Sequence, residues 1–379
     1  MNRGRLLKIS VLVLAVAFGL VAGEMALRRL APIEDPYSEF KLKQPIVNQY
    51  IRSEFPPNFR VPTEIAPGIP GMTGRHVFST NNLGFRGDPL GVPKPAGEFR
   101  VFAIGGSTTE CAYLDDSETM PAVLQRELQA IAPAGRTVKV YNAGKSGDRS
   151  YDHVSMLVHR ILHLQPDAIV VFLGINDLSA SIAETDYLHR VEVVQSSVNM
   201  RQMLGMIATE WQIPRRLRAV ALRLQPKSER AVLEEIRWRL DLTDYVAAAH
   251  TGPQRDGRPR VWTDGFRTNL LTLIGAAQAN GVKVTLMTQP SSWNSRVDPT
   301  AVDRHWMLNH YGEDVMDAGL ETFNDVTRAL GREHGLPVAD IARTMPKSGS
   351  HIYDDVHLTP VGAAFAARAL AQAMATQLR

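Results

Sequence analysis

Phe99-Arg100-Val101-Phe102-Ala103-Ile104-Gly105-Gly106-Ser107-Thr108-Thr109 is an apolar run that ends in two glycines and a serine. A continuous apolar run of this length suits a strand buried on both faces, as in a parallel sheet covered by helices. Pro121, Val123, Leu124, Leu128 and Ile131 then recur at helical spacing. Val138-Lys139-Val140-Tyr141 reads as a second strand. Val154, Leu157, Val158, Ile161 and Leu162 mark a second helix, and residues 168–173 are a third, wholly apolar strand. Strand and helix alternate, which predicts an α/β fold around a parallel sheet.

The same rhythm returns near the C-terminus. A helix is expected around 270–278 and a fourth strand over 282–287. Met316, Leu320, Phe323, Val326 and Leu330 mark an amphipathic helix closed by Gly335. A fifth strand is expected over 337–341. The last helix starts at Thr359-Pro360, with threonine as its cap and proline in its first turn.

Two stretches break the pattern. Residues 31–95 carry Pro32, Pro36, Pro45, Pro56, Pro57, Pro62, Pro67 and Pro70, and read as a loop-dominated extension. Residues 180–262 carry Trp211, Arg215, Arg216, Arg218, Arg223, Lys227 and Arg230 among leucines and alanines, and read as a helical insertion. Its basic residues fit a solvated face first, and a lid or membrane-surface helix pair second. The expected organisation is an N-terminal targeting segment at 1–30, the extension at 31–95, and the α/β domain at 96–379 with its insertion.

Arg3, Arg5 and Lys8 precede an apolar stretch from Ile9 to Gly23, and Glu24, Arg28 and Arg29 follow it. A basic start and about 15 apolar residues resemble an export signal. The helical pattern continues through Met25, Ala26, Leu27 and Leu30, which favours an uncleaved, single-pass signal anchor with the main domain on the periplasmic side. Cleavage after Gly23, and release of the rest, is the alternative.

Charged residues are 21% and hydrophobic residues 44% of the chain, so bulk disorder is excluded. The net charge of +3 fits a membrane-facing surface or an acidic polysaccharide. No nucleic-acid motif accompanies it, and no nucleic-acid partner is expected. The single cysteine, Cys111, excludes an internal disulfide and reads as a small buried residue.

Ser107, Asn142-Ala143-Gly144 and Gly174-Ile175-Asn176-Asp177 each follow a predicted strand. Ligands of open parallel sheets bind beyond the carboxyl ends of the strands, so three polar groups are expected on one edge. A serine hydroxyl needs a base, and Asp354-Asp355-Val356-His357 supplies an imidazole with a carboxylate three residues before it. The expected catalytic residues are Ser107, His357 and Asp354. Asp355 is the alternative partner, with its side chain expected to point elsewhere. The expected oxyanion donors are the backbone N–H groups of Ser107 and Gly144 and the side-chain amide of Asn176. Asp177 is expected to brace the loop. Competing motifs fail: no P-loop lysine follows Ser107, and His159 and His163 lack the glutamate of a zinc helix.

These residues resemble the SGNH (GDSL-like) hydrolases, whose four named residues map onto Ser107, Gly144, Asn176 and His357, with Asp354 in the final block. The resemblance covers roughly 98–180 and 265–375. Gly106 stands where the common pattern has aspartate. Gly-Gly-Ser-Thr-Thr and the upstream Asn81-x-x-Gly84-Phe85-Arg86-Gly87 turn are similar to an exported bacterial subgroup. The resemblance implies a flavodoxin-like three-layer α/β/α fold with a parallel five-stranded sheet. It also implies esterase, lipase or deacetylase chemistry with no cofactor or metal. O-acetyl esters of an envelope glycan are the expected substrate, and lipid esters the competing one. An O-acetyltransferase would use the same residues, and a non-catalytic envelope binding or assembly protein is the reading from another class.

Overall fold

The computed structural model describes residues 3–32, 51, 54–55, 57–65, 71–72, 74–183, 211–214, 216–217, 261–295 and 311–378. Most of the expected insertion, 184–210 and 218–260, lies outside the described residues. The chain forms two compact units, one of residues 1–43 with 189–237 and one of 44–188 with 238–379.

In the first unit, α1 (Arg3–Leu30) is a continuous helix whose apolar side chains are exposed. It is 28 residues long, about 42 Å at the usual helical rise. Its segment Leu7–Leu30 is long and apolar enough to cross a membrane. Glu24 interrupts that apolar run, yet it is buried. Its carboxylate accepts the Arg28 Nε–H at 2.7 Å and the backbone N–H groups of Gln212 at 2.7 Å and Ile213 at 2.9 Å.

In the second unit, five parallel strands follow in the order β4-β3-β5-β6-β7. They are β3 (Glu98–Gly105), β4 (Thr137–Asn142), β5 (Ala168–Phe172), β6 (Lys283–Met287) and β7 (Val338–Ala339). Successive residues of β3 and β5 enter opposite cores, as the two-residue period of a strand requires. Val101, Ala168, Val170 and Phe172 pack with α3 (Met120–Ile131) and a C-terminal helix over Pro360–Met374. Phe102, Ile104, Ile169 and Val171 pack with α4 (Ser150–His159) and α5 (Ile175–Ala183). Also on that face are α6 (Asp264–Ala279) and α7 (Glu313–Glu333). The result is a three-layer α/β/α fold. The fifth strand is shorter than the expected 337–341, because α8 (Ile341–Thr344) begins at once. The C-terminal helix, α9 (Pro360–Met374), is capped by Thr359, whose Oγ1 accepts the Gly362 N–H at 3.1 Å.

The proline-rich extension is not only loop. It contains an antiparallel pair, β1 (Arg60–Glu64) and β2 (Arg75–Ser79), whose Pro62 pairs opposite Val77. A two-stranded ribbon leaves edges on both sides, which is where a strand tolerates proline. After it, Arg86 is 2% exposed and points at α2 (Ser107–Glu110), the one-turn helix that starts with Ser107. Its Nη1 donates to the carbonyls of Glu110 and Cys111, both at 2.7 Å, and its Nη2 to Leu114 O at 2.9 Å. Asp116 balances the charge at 2.7 Å and also accepts the Ser79 N–H at 3.0 Å. The extension therefore buttresses the helix that carries Ser107. Replacing Arg86 with methionine leaves those carbonyls and Asp116 without their cation. It should cost about 3–5 kcal/mol, read as a lower urea midpoint; an unchanged midpoint would remove Arg86 from this role.

Candidate active site

Ser107, the 142–148 loop, Asn176 and the 288–295 loop stand at the carboxyl ends of β3, β4, β5 and β6. His357 enters from the turn before α9. The structure brings Ser107, His357 and Asp354 into one hydrogen-bonded chain. His357 Nε2 lies 2.7 Å from Ser107 Oγ, and His357 Nδ1 lies 2.7 Å from Asp354 Oδ2. Asp354 is 1% exposed, and its other oxygen accepts the N–H groups of Val356 at 2.9 Å and His357 at 2.7 Å. These bonds close the three-residue turn and fix the carboxylate. An ionised carboxylate at Nδ1 holds the proton there, leaving Nε2 to accept the Ser107 hydroxyl proton. The Tyr353 ring stacks on the imidazole at 5.7 Å and 15°.

Burial alone would lower the pKa of His357. The Asp354 charge and hydrogen bond, with Asp355 and Glu110 adding to them, outweigh burial and raise it above the ordinary value of 6.5. Asp355 points away, as expected, and its Oδ1 accepts the Trp293 Nε1–H at 2.7 Å. Ser292 joins the two loops further, with its Oγ donating to Asp354 O at 2.5 Å and its N–H to Asp355 O at 2.8 Å. The loop after β6, absent from the sequence reading, thus holds the histidine turn.

Asn176 lies in the first turn of α5. Its Nδ2 donates to Asp148 O at 2.7 Å, which leaves its second amide hydrogen available. The same nitrogen would sit only 2.5 Å from a Cβ built on Gly106, so the amide is packed against the residue that precedes Ser107. Ser107 opens α2, so its own N–H has no carbonyl one turn back to bond. Asp177 braces this region, as expected. Its carboxylate takes the Ser150 hydroxyl at 2.6 Å, and burial pushes it up to about 6.

Gly144 also has a packing contact. It is buried, and its N–H donates to Asn142 Oδ1 at 2.8 Å. That bond turns the proton toward Asn142, and an oxyanion would have to share or replace it. A Cβ there would meet Glu110 N at 2.2 Å, so the glycine serves close backbone contact between this loop and α2. The sequence holds the signal: an asparagine two residues before a glycine is the pattern of an Asx turn. The exposed part of the loop is Ser146-Gly147. Asn142 Nδ2 donates to the carbonyls of Thr109 at 2.8 Å and Glu110 at 3.2 Å, a second clamp on α2 that motif reading missed.

The other candidates fall outside the site. Cys111 is buried, and burial pushes its thiol up to about 11, which leaves it protonated and unreactive at neutral pH. His159, the last residue of α4, and His163, in the 3₁₀ turn that follows, are both exposed. Among the described residues, no group of three or more His, Cys, Asp or Glu side chains could hold a metal ion.

A hydroxyl hydrogen-bonded to an imidazole–carboxylate pair, at the carboxyl edge of a three-layer parallel sheet, is an arrangement that suits acyl transfer. Residues 103–365 match the GDSL-like Lipase/Acylhydrolase family, and the chain belongs to that family. It is an ester-hydrolysing enzyme. No curated protein matches the chain. Among solved structures it is similar to the lipase/acylhydrolase from Enterococcus faecalis, with 19% identity and a TM-score of 0.42 over 74% of this chain and 97% of that one. It is also similar to an acetylxylan esterase from Geobacillus stearothermophilus, with 14% identity and a TM-score of 0.39 over 74% and 94%.

Gly144→Ala tests the packing role of this glycine. Backbone atoms of Glu110 must move to admit the methyl group, so a loss of about 2–4 kcal/mol is expected in denaturant melts. A variant of normal stability that is merely inactive would favour an oxyanion role for Gly144 over the packing role.

Proposed function

We propose that this protein is a membrane-anchored serine esterase that works through an acyl-enzyme, with Ser107 as nucleophile, His357 as general base and acid, and Asp354 as its partner. The observation that carries this reading is the unbroken chain Ser107 Oγ–His357 Nε2 and His357 Nδ1–Asp354 Oδ2, both contacts at 2.7 Å. Ser107 Oγ attacks the ester carbonyl as its proton passes to Nε2. The imidazolium, stabilised by Asp354, returns that proton to the leaving alcohol. Water then attacks the acyl-Ser107 ester with the same two transfers, releasing the acid and free enzyme. The donors to the oxyanion are the Ser107 N–H and the second N–H of Asn176, each worth about 3–4 kcal/mol of barrier.

The location rests on α1. Its exposed apolar surface needs a bilayer or another apolar cover. Glu24, one residue past the candidate cleavage point, is buried in bonds to Gln212 and Ile213, which supports a retained helix over a cleaved one. The basic flank at Arg3, Arg5 and Lys8 supports a cytoplasmic position for that end, with the catalytic unit on the periplasmic side. O-acetyl groups on an envelope glycan are the substrate this location and the mildly basic charge favour.

Fluorophosphonate should label the wild-type protein and not Ser107→Ala, and p-nitrophenyl acetate turnover should fall at least 10³-fold in that variant. Equal turnover by the two proteins defeats the mechanism. Acetylated glycans screened against lipid esters decide the substrate. A periplasmic reporter fused after residue 40 should be active, and the membrane-bound chain should keep residues 1–23.

The pH profile follows from the His357 shift. The neutral imidazole is the working base, so kcat/KM should rise with pH through a midpoint above 6.5. Asp355→Asn removes one contribution that raises this pKa while keeping an acceptor for Trp293. The acid limb should move to lower pH with Ser107 labelling retained. A limb that stays or moves up contradicts the electrostatic account.

A further inference from the structure

Glu110 closes the one-turn helix that Ser107 opens, and it is 6% exposed. Its Oε2 accepts the Ser146 N–H at 2.5 Å. Lys145, the preceding loop residue, is equally enclosed, and its Nζ lies 3.1 Å from the centre of the Phe55 ring. Among the described residues, that amine has no hydrogen-bond partner. Its opposite charges are Glu110 and Asp148. Burial lowers the amine to about 7 and raises the Glu110 carboxyl, and each group's charge counters the other's shift.

Packing alone does not call for such a pair, since apolar side chains of similar size fill a core at least as well. The contacts around it run in one direction. Glu110, on the nucleophile's helix, holds Ser146. The Lys145 N–H donates to Gly105 O at 2.9 Å, and the Asp148 N–H returns to Lys145 O at 3.1 Å. The Asp148 carbonyl then seats the Asn176 amide at 2.7 Å. We propose that Glu110, with Lys145 as its buried counter-charge, is a positioning residue that sets the Asn176 amide against the reacting centre through the 144–148 loop. This rests on the reading of Ser107 as nucleophile and Asn176 as oxyanion donor. The role is felt in the transition state, so it belongs to kcat rather than to substrate binding.

Glu110→Gln keeps the volume but removes the charge that faces Lys145 and weakens the acceptor for the Ser146 N–H and hydroxyl. The expected loss in kcat is about 10–100-fold, less than for outright removal of an oxyanion donor, with KM within about twofold of wild type. The deciding measurement is a double-mutant cycle with Asn176→Ala. If Glu110 acts through Asn176, adding Glu110→Gln to Asn176→Ala lowers kcat by less than about threefold. Losses that multiply overturn the proposal, as does an unchanged kcat in Glu110→Gln alone. Circular dichroism checks that each variant folds. If Glu110→Gln does not fold, Lys145→Met, which strands the Glu110 charge, takes its place in the same cycle with the same expectations. Activity that survives Ser107→Ala defeats the hydrolase mechanism itself, a result distinct from a failed cycle.

Discussion

The carbonyls at the end of α2 are held by two side chains from outside it. Arg86 donates to Glu110 O and Cys111 O, and Asn142 Nδ2 to Thr109 O and Glu110 O. One helical turn fixes several dihedrals for a single hydrogen bond and does not persist alone. Ser107 begins that turn, so the position of its hydroxyl depends on these two donors. Gly144 completes the grip by letting the β4 loop lie directly on the α2 backbone. The fold delivers Arg86 from the extension and Asn142 from the end of the neighbouring strand.

Around that fixed point the other groups are placed by pairs of loops rather than by single residues. The histidine turn is bound to the loop after β6 through Ser292, Trp293 and Asp355. The Asn176 amide is bound to the loop after β4 through Asp148. Each loop leaves a different strand, and the parallel register brings their ends together. The scaffold is close-packed because both sheet faces are buried.

Charge inside the site is arranged with the same economy. Asp354 and Asp355 lie side by side, yet one faces His357 and the other faces Trp293. Both stabilise the imidazolium, and only one constrains the tautomer. Glu110 reaches His357 electrostatically as well as holding Ser146, so the helix that carries Ser107 helps raise the His357 pKa.

Much of this was legible without coordinates. A strand buried on both faces must be apolar throughout, so β3 and β5 announce themselves, and the alternation with helical spacing leaves few topologies. Ser107, Asn176, Asp354 and His357 were legible because each follows a strand or precedes a helix with the residue type its position needs. The β1–β2 ribbon was hidden because a short edge pair with a proline has no periodic signature. The roles of Arg86, Asn142, Glu110 and Lys145 were hidden for a deeper reason. Local sequence reports which residues share a face or a turn; a hydrogen bond is made or refused by groups that meet only when distant segments pack. Gly144 shows the difference: its sequence position marked the loop, and only the fold set its backbone against Glu110 and its N–H against Asn142.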